Sequence, residues 1–198
     1  MSIVLDLIGS IVIASFVILM GLRLNQSISG SADASTANLN VQESLVDIVH
    51  TIEYDFRKIG YNVPNPQNAI VVADSNRIVF LADMNRDGNI DTVEWKVSNL
   101  IGGFPNPNIR KLYRRVGNGP YVGAALGVTQ FGLKYLNQDG GPAAFLSQIW
   151  IIEMTLKVES PYKVQDQIIT DQSYQDMGYA AAFWRQTRLA SRNIKRHG

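Results

Sequence analysis

Met1-Ser-Ile-Val-Leu-Asp6 opens the chain, Leu7 to Leu22 follows without a charge, and Arg23 is the next ionisable group. After a small, polar passage from Ser27 to Asn38, apolar residues return as Val41, Leu45, Ile48, Val49, Ile52, Phe56 and Ile59. Gaps of three and four place these on one helical stripe, with Gln42, Glu43, Asp47, Glu53, Asp55 and Lys58 assigned to the other faces. The stretch therefore reads as one long helix, apolar all round at first and amphipathic later, with Gly60 as its C-terminal stop. It divides the chain into a helical segment, 1–60, and a head domain, 61–198.

Working outward, the first question is the membrane. A span needs about twenty apolar residues, and Ile3 to Leu22 supplies them if Asp6 lies near an interface or is neutralised. A signal peptide is the rival, but no basic segment precedes the apolar run and no small-x-small cleavage site follows it. A buried helix of a water-soluble protein is the third reading. Arg23 lies after the span and no Lys or Arg before it, so charge does not set the orientation. A carboxylate at the edge of a span is costly and calls for a partner. The plainer alternative is that Asp6 caps the helix start, where the macrodipole favours negative charge.

The remaining roughly 140 residues suit one core. Net charge is +1, which argues neither for nor against a polyanionic partner. Cysteine is absent and there are two histidines, which excludes disulfides, thiol chemistry and a multi-histidine metal site within one chain. No nucleophile elbow, P-loop or paired histidines occur, so the chain reads as a non-enzyme without a small-molecule substrate. His50 falls within the helix and is expected to be packed or hydrogen-bonded.

Short β-branched or aromatic runs follow at Ala69 to Ala73, Arg77 to Ala82, Thr92 to Val97 and Lys111 to Val116. Ala124 to Val128 reads as a strand end or a short crossing. Thr129 to Leu136 and Ile149 to Val158, joined by an Asp-Gly turn, form the clearest hairpin, with Ile152, Met154, Leu156 and Val158 on one face. Ser160 to Tyr179 is polar and irregular, and Ala181 to Ala190 reads as a last strand before a basic tail. Runs of strands after one long helix give an α+β fold, an antiparallel sheet packed on the helix.

Asp83-Met-Asn85-Arg-Asp87-Gly88-Asn89-Ile-Asp91-Thr-Val-Glu94 matches the twelve-residue calcium-loop template, with oxygen donors at positions 1, 3, 5, 9 and 12 and Gly at 6. Asn89 would add its carbonyl. Strands rather than helices flank it, so the expectation is a Ca2+-binding hairpin loop held by Asp83, Asn85, Asp87, Asn89, Asp91 and Glu94. In a hairpin, Glu94 either closes the shell or points along the strand outside it. The alternative is an Asx-rich turn that needs no ion.

Ser2 to Ile8, Ile52-Glu-Tyr-Asp-Phe-Arg-Lys-Ile-Gly-Tyr61, Phe80 to Trp95, and Thr129 to Asp139 with the Ile149 to Val158 strand and Arg192-Asn193 together resemble the type IV pilin-like superfamily. Within it, the likeness is to W-type minor pilins and the J-type minor pseudopilins of type II secretion. With Ser2 as the first mature residue, Asp6 takes the fifth place, where the family usually has Glu. The resemblance implies a subunit that enters a filament from the inner membrane through its N-terminal helix. Asp6, Leu7, Ile8, Ile11 and Val12 would form the assembly contact and other pilin-like subunits would be the partners. The head would be extracytoplasmic, or part of an extracellular or periplasmic filament.

The competing class is a membrane-anchored, calcium-dependent binding or sensing domain that does not polymerise. A third reading gives Arg185, Arg188, Arg192, Lys195 and Arg196 to nucleic acid; a solvated edge strand and tail is favoured over it, because the cluster is short and only Phe183 and Trp184 accompany it.

Overall fold

A computed structural model describes residues 2–163, 178–189 and 193–194. It consists of helix α1 (Ser2–Arg57) followed by strands β1 (Ile70–Asp74), β2 (Arg77–Ala82), β3 (Asp91–Val97), β4 (Arg110–Val116), β5 (Val122–Leu136), β6 (Ile151–Lys163) and β7 (Tyr179–Leu189). The strands pair in chain order, every neighbour antiparallel, in a seven-stranded sheet. The α+β expectation holds.

The helix is one rod with two environments. At 1.5 Å per residue it is about 84 Å long. Val41, Leu45, Ile48, Val49, Ile52 and Phe56, followed by Ile59 just past its end, are buried in one core with Phe80, Trp95, Leu112, Met154, Leu156 and Leu189 from the sheet. At about 1.5–3 kcal/mol for each side chain, that stripe contributes on the order of 10–20 kcal/mol as an upper bound. The other half is bare: Asp6–Gln26 has a mean hydropathy of 2.3 and none of it is buried. Its 21 residues measure about 31 Å, close to the hydrocarbon thickness of a bilayer.

Three contacts end the helix. Gly60 takes φ 76° and donates its N–H to Leu81 O at 3.0 Å. A Cβ there would lie 3.1 Å from the Pro66 side chain, so both the backbone angle and the space favour glycine. Asn193 Nδ2 then reaches back to the carbonyls of Arg57 and Ile59, at 3.3 Å each, and supplies donors to the helix end.

Two sequence expectations change. The Ala124 to Val128 and Thr129 to Leu136 segments form one strand, β5, with an irregularity between Val128 and Gln130. Its first part pairs with β4 and its second with β6. Gly127, at φ 95°, sits at the bend, where a Cβ would come within 2.7 Å of Glu159 O. The bend brings the β1–β2 turn against the second half of β5, where Leu133 N–H donates to Ser75 O at 2.8 Å. Ser160 to Lys163, read as irregular, continues β6, and buried and half-buried residues alternate from Ile151 to Pro161. The expected inward face of Ile152, Met154, Leu156 and Val158 is buried.

Candidate functional site

The helix start is the first candidate. Leu7, Ile8, Ile11 and Val12 are 48–60% exposed, and Asp6 is exposed beside them. The side chains of Ser10 and Ser15 bond back to the carbonyls of Asp6 and Ile11, at 2.6 and 2.7 Å, so their hydroxyls present little unsatisfied polarity. Asp6 lies past the first described turn of α1, which contains no acid. The macrodipole effect fades within that turn. His50 is exposed on the helix rather than packed.

The acidic loop departs from its template at the last position. Glu94 lies inside β3 with 1% of its surface exposed. Its carboxylate accepts from Arg77 Nε at 2.8 Å, Arg115 Nη2 at 2.6 Å and Tyr121 Oη at 2.7 Å. Glu94 is therefore committed to two guanidiniums and a phenol, and of its two alternatives it takes the one along the strand, outside the calcium shell. The strand's alternation causes this, since Val93 and Trp95 face the helix and Glu94 the opposite side.

The rest of the loop is braced by its own amides. Asp83 is buried and accepts the N–H groups of Asp87 and Gly88 at 3.2 and 3.1 Å and Asn62 Nδ2 at 3.0 Å. Asp87 accepts Asn89 N–H at 2.7 Å and Asn85 Nδ2 at 2.8 Å. Asp91 accepts Met84 N–H at 3.2 Å, and the Lys58 ammonium donates to Met84 O. Arg86 (φ 64°) and Gly88 (φ 88°) make the bends. Among the described residues no three Asp, Glu, His or Cys side chains gather as a metal-holding group. The donors Asp83, Asn85, Asp87, Asn89 and Asp91 suit calcium by type, but the full six-residue set is not brought together. The hydrogen bonds from Asn89 and Asn85 hold the Asp87 carboxyl below the usual carboxylate range.

A third constellation lies between helix and sheet. Asp55, assigned by sequence to a wet face, is completely buried. Arg114 grips it through Nε at 2.6 Å and Nη2 at 2.9 Å, and Trp95 Nε1 donates to it at 2.8 Å. Hydrogen bonding to Asp55 raises the Arg114 pKa against the opposing effect of burial. A signal was present, because Asp55 follows Ile52 by three residues and precedes Ile59 by four, on the core stripe itself. Nothing in the sequence named its partners, 40 and 59 residues away.

The opposite sheet face carries a further cluster. Burial would raise the Glu94 carboxyl, but the Tyr121 hydrogen bond and the Arg77 and Arg115 charges outweigh it and hold it below the ordinary range. Lys96 Nζ lies 3.7 Å from the Tyr121 ring centroid and the Arg115 guanidinium 4.5 Å from it. Lys111 Nζ lies 5.7 Å from the Tyr113 ring, which meets Tyr121 edge-on at 6.2 Å. Both rings line the outer face of the sheet.

The described buried carboxylates, Asp55, Asp83 and Glu94, all accept hydrogen bonds from cations, side-chain N–H groups or backbone amides, an arrangement suited to holding elements together. Of the suggested nucleic-acid residues, Arg192, Lys195 and Arg196 lie outside the described residues, as do the side chains of Arg185 and Arg188 in β7. No family model, curated protein or solved structure matches the chain. What remains decisive is the arrangement itself, an apolar N-terminal helix whose second half packs on an antiparallel sheet. The architecture is pilin-like. The pilin-like helix is long enough and apolar enough to serve as a membrane anchor or a signal sequence.

Proposed function

We propose that the chain is a structural subunit of a type IV pilus-like filament or of a type II secretion apparatus. It is held in the inner membrane by α1, with its head outside the cytoplasm, and assembles through the exposed half of that helix. The observation that carries this reading is the split of one continuous helix: the second half is buried by the chain's own sheet, while the apolar first half is covered by none of the described residues. Lipid and neighbouring helices of the same kind are the two environments that satisfy such a surface. Asp6 adds direction, since a carboxylate at the membrane edge calls for a cation from a neighbour, a pairing that sets register more than it adds stability.

The test is incorporation of full-length Asp6→Ala and Asp6→Lys chains into membrane-extracted assemblies. Both variants are expected to lose at least tenfold in incorporation, Asp6→Lys the more completely, with an unchanged melting temperature of the head. Incorporation at the normal level would leave a membrane-anchored binding domain that does not polymerise.

A further inference from the structure

We infer that the outer face of β2–β4 is a docking surface for the helix of a second copy of this chain, which binds there through the acidic flank of α1. The inference rests on the multi-copy assembly proposed above and adds a contact between heads and helices to it. The receiving face carries Arg77, Lys96, Lys111 and Arg115, with Glu94 as its acid, and Glu94 is buried and already bonded to two of those cations. The arrangement is fixed in advance: Tyr121 bonds Glu94 and is flanked by Lys96 and Arg115, and the Lys111 stem crosses Gly123 so closely that a Cβ there would lie 2.0 Å from Lys111 Cε.

The complement is on the same chain. Between Arg23 and Arg57 the sequence contains five acids and no lysine or arginine. Asp55 is neutralised by Arg114 and Glu53 pairs with Arg57. Asp33, Glu43 and Asp47 remain exposed and, among the described residues, unpaired with any cation. At 100° per residue these three fall within an arc of about 80° on the side of α1 turned away from the buried stripe, over about 21 Å of helix. The face from Lys111 to Arg115 extends about 13 Å along its strand, so two of the acids can meet it at once.

A chain cannot satisfy itself in this way. Its own helix packs on the side of the sheet that carries Trp95 and Leu112, whereas the cations alternate with these residues and point away. The contact therefore joins different surfaces on two copies, and a heterologous contact that does not close propagates as an open filament. Individual exposed charge pairs are weak. A membrane-tethered array raises the effective concentration until several of them act together.

Charge exchange in the full-length chain tests this. The protein lacks cysteine, so Asn40→Cys with Asn99→Cys, on the two exposed surfaces, reports the contact as a disulfide-linked ladder in membranes. The ladder is expected to fall at least tenfold with Lys96→Glu/Lys111→Glu, equally with Glu43→Lys/Asp47→Lys, and to return when all four are combined. It should also weaken as ionic strength rises. A ladder unaffected by either reversal overturns the inference, as does failure of the combined variant to restore it while its head melts normally. Binding of a single-stranded oligonucleotide by the unmodified chain that Lys96→Glu/Lys111→Glu removes, with no rescue of the ladder, would assign the face to a polyanion instead and also overturn it. Asp6→Lys separates the two levels: if it removes the ladder while the charge exchange does not, assembly stands and only this contact falls; a ladder that survives Asp6→Lys removes the assembly reading itself.

Discussion

Two acids on the same helix, Asp6 and Asp55, are in opposite situations. Asp55 is fully buried and is met by Arg114 and Trp95 from the chain's own sheet. Asp6 stands exposed in an apolar segment that none of the described residues covers. Both are aspartates of one helix, so residue type does not separate the two. What separates them is where the partner lies: inside the fold for Asp55, and on another molecule for Asp6 in the proposed assembly. One helix thus carries a folding surface and an association surface in series, and each can be broken without the other.

The largest effects belong to the folding surface. Phe56 is buried edge-on against Phe80, their centroids 5.9 Å apart. Phe56→Ala is expected to cost the head about 3–5 kcal/mol, measured by urea unfolding of the full chain in detergent. Phe16, 62% exposed, provides the control: Phe16→Ala should change head stability by less than about 0.5 kcal/mol. A large effect at Phe16 would mean that the two halves are not independent.

Asp55→Ala comes next. It leaves the Arg114 guanidinium and the Trp95 N–H without their acceptor, at roughly 3 kcal/mol or more. Asp55→Leu combined with Arg114→Met should recover most of that loss, because a well-packed apolar pair replaces a buried ion pair at little cost. The same measurement on Asp6→Ala should show no change, and a matching loss there would erase the contrast between the two acids.

Glu94→Gln sharpens the picture within the head, with an expected loss of roughly 1–3 kcal/mol at neutral pH from weakened charged hydrogen bonds. Its folded pKa lies below the ordinary glutamate value, so its contribution is complete above that value and is lost as pH falls through the folded pKa. The gap between wild type and Glu94→Gln in urea midpoint should therefore be wide at pH 7 and narrow steadily as pH falls below the ordinary glutamate range. A gap independent of pH would show that packing rather than charge is responsible.

The smallest effect concerns the acidic loop. With Glu94 elsewhere and the remaining carboxylates bracing amides, 1 mM calcium against chelator should move the melting temperature of the head by no more than about 1 °C. A larger rise would restore the ion-binding reading with Asp83, Asn85, Asp87, Asn89 and Asp91 as the donors.

Periodicity made α1, its buried stripe and the inward face of β6 legible, because a 3.6-residue or two-residue repeat is written along the chain itself. The same repeat placed Asp55 on the core face, and reading the residue type over the position put it in water. The local Asp-Gly chemistry of residues 83–91 was equally legible as a turn. The template left Glu94 open between the shell and the strand, because it spans twelve consecutive residues, while Arg77 and Arg115 reach it from neighbouring strands.

By itself, the sequence determined that an apolar rod precedes an antiparallel head, since hydrophobic patterning is a property of consecutive residues. Only the tertiary structure decided which acids find cations, where β5 bends, and that the outer sheet face is basic. Those depend on partners dozens of residues apart, and a side chain's surroundings are set by the strands and helix that pack against it.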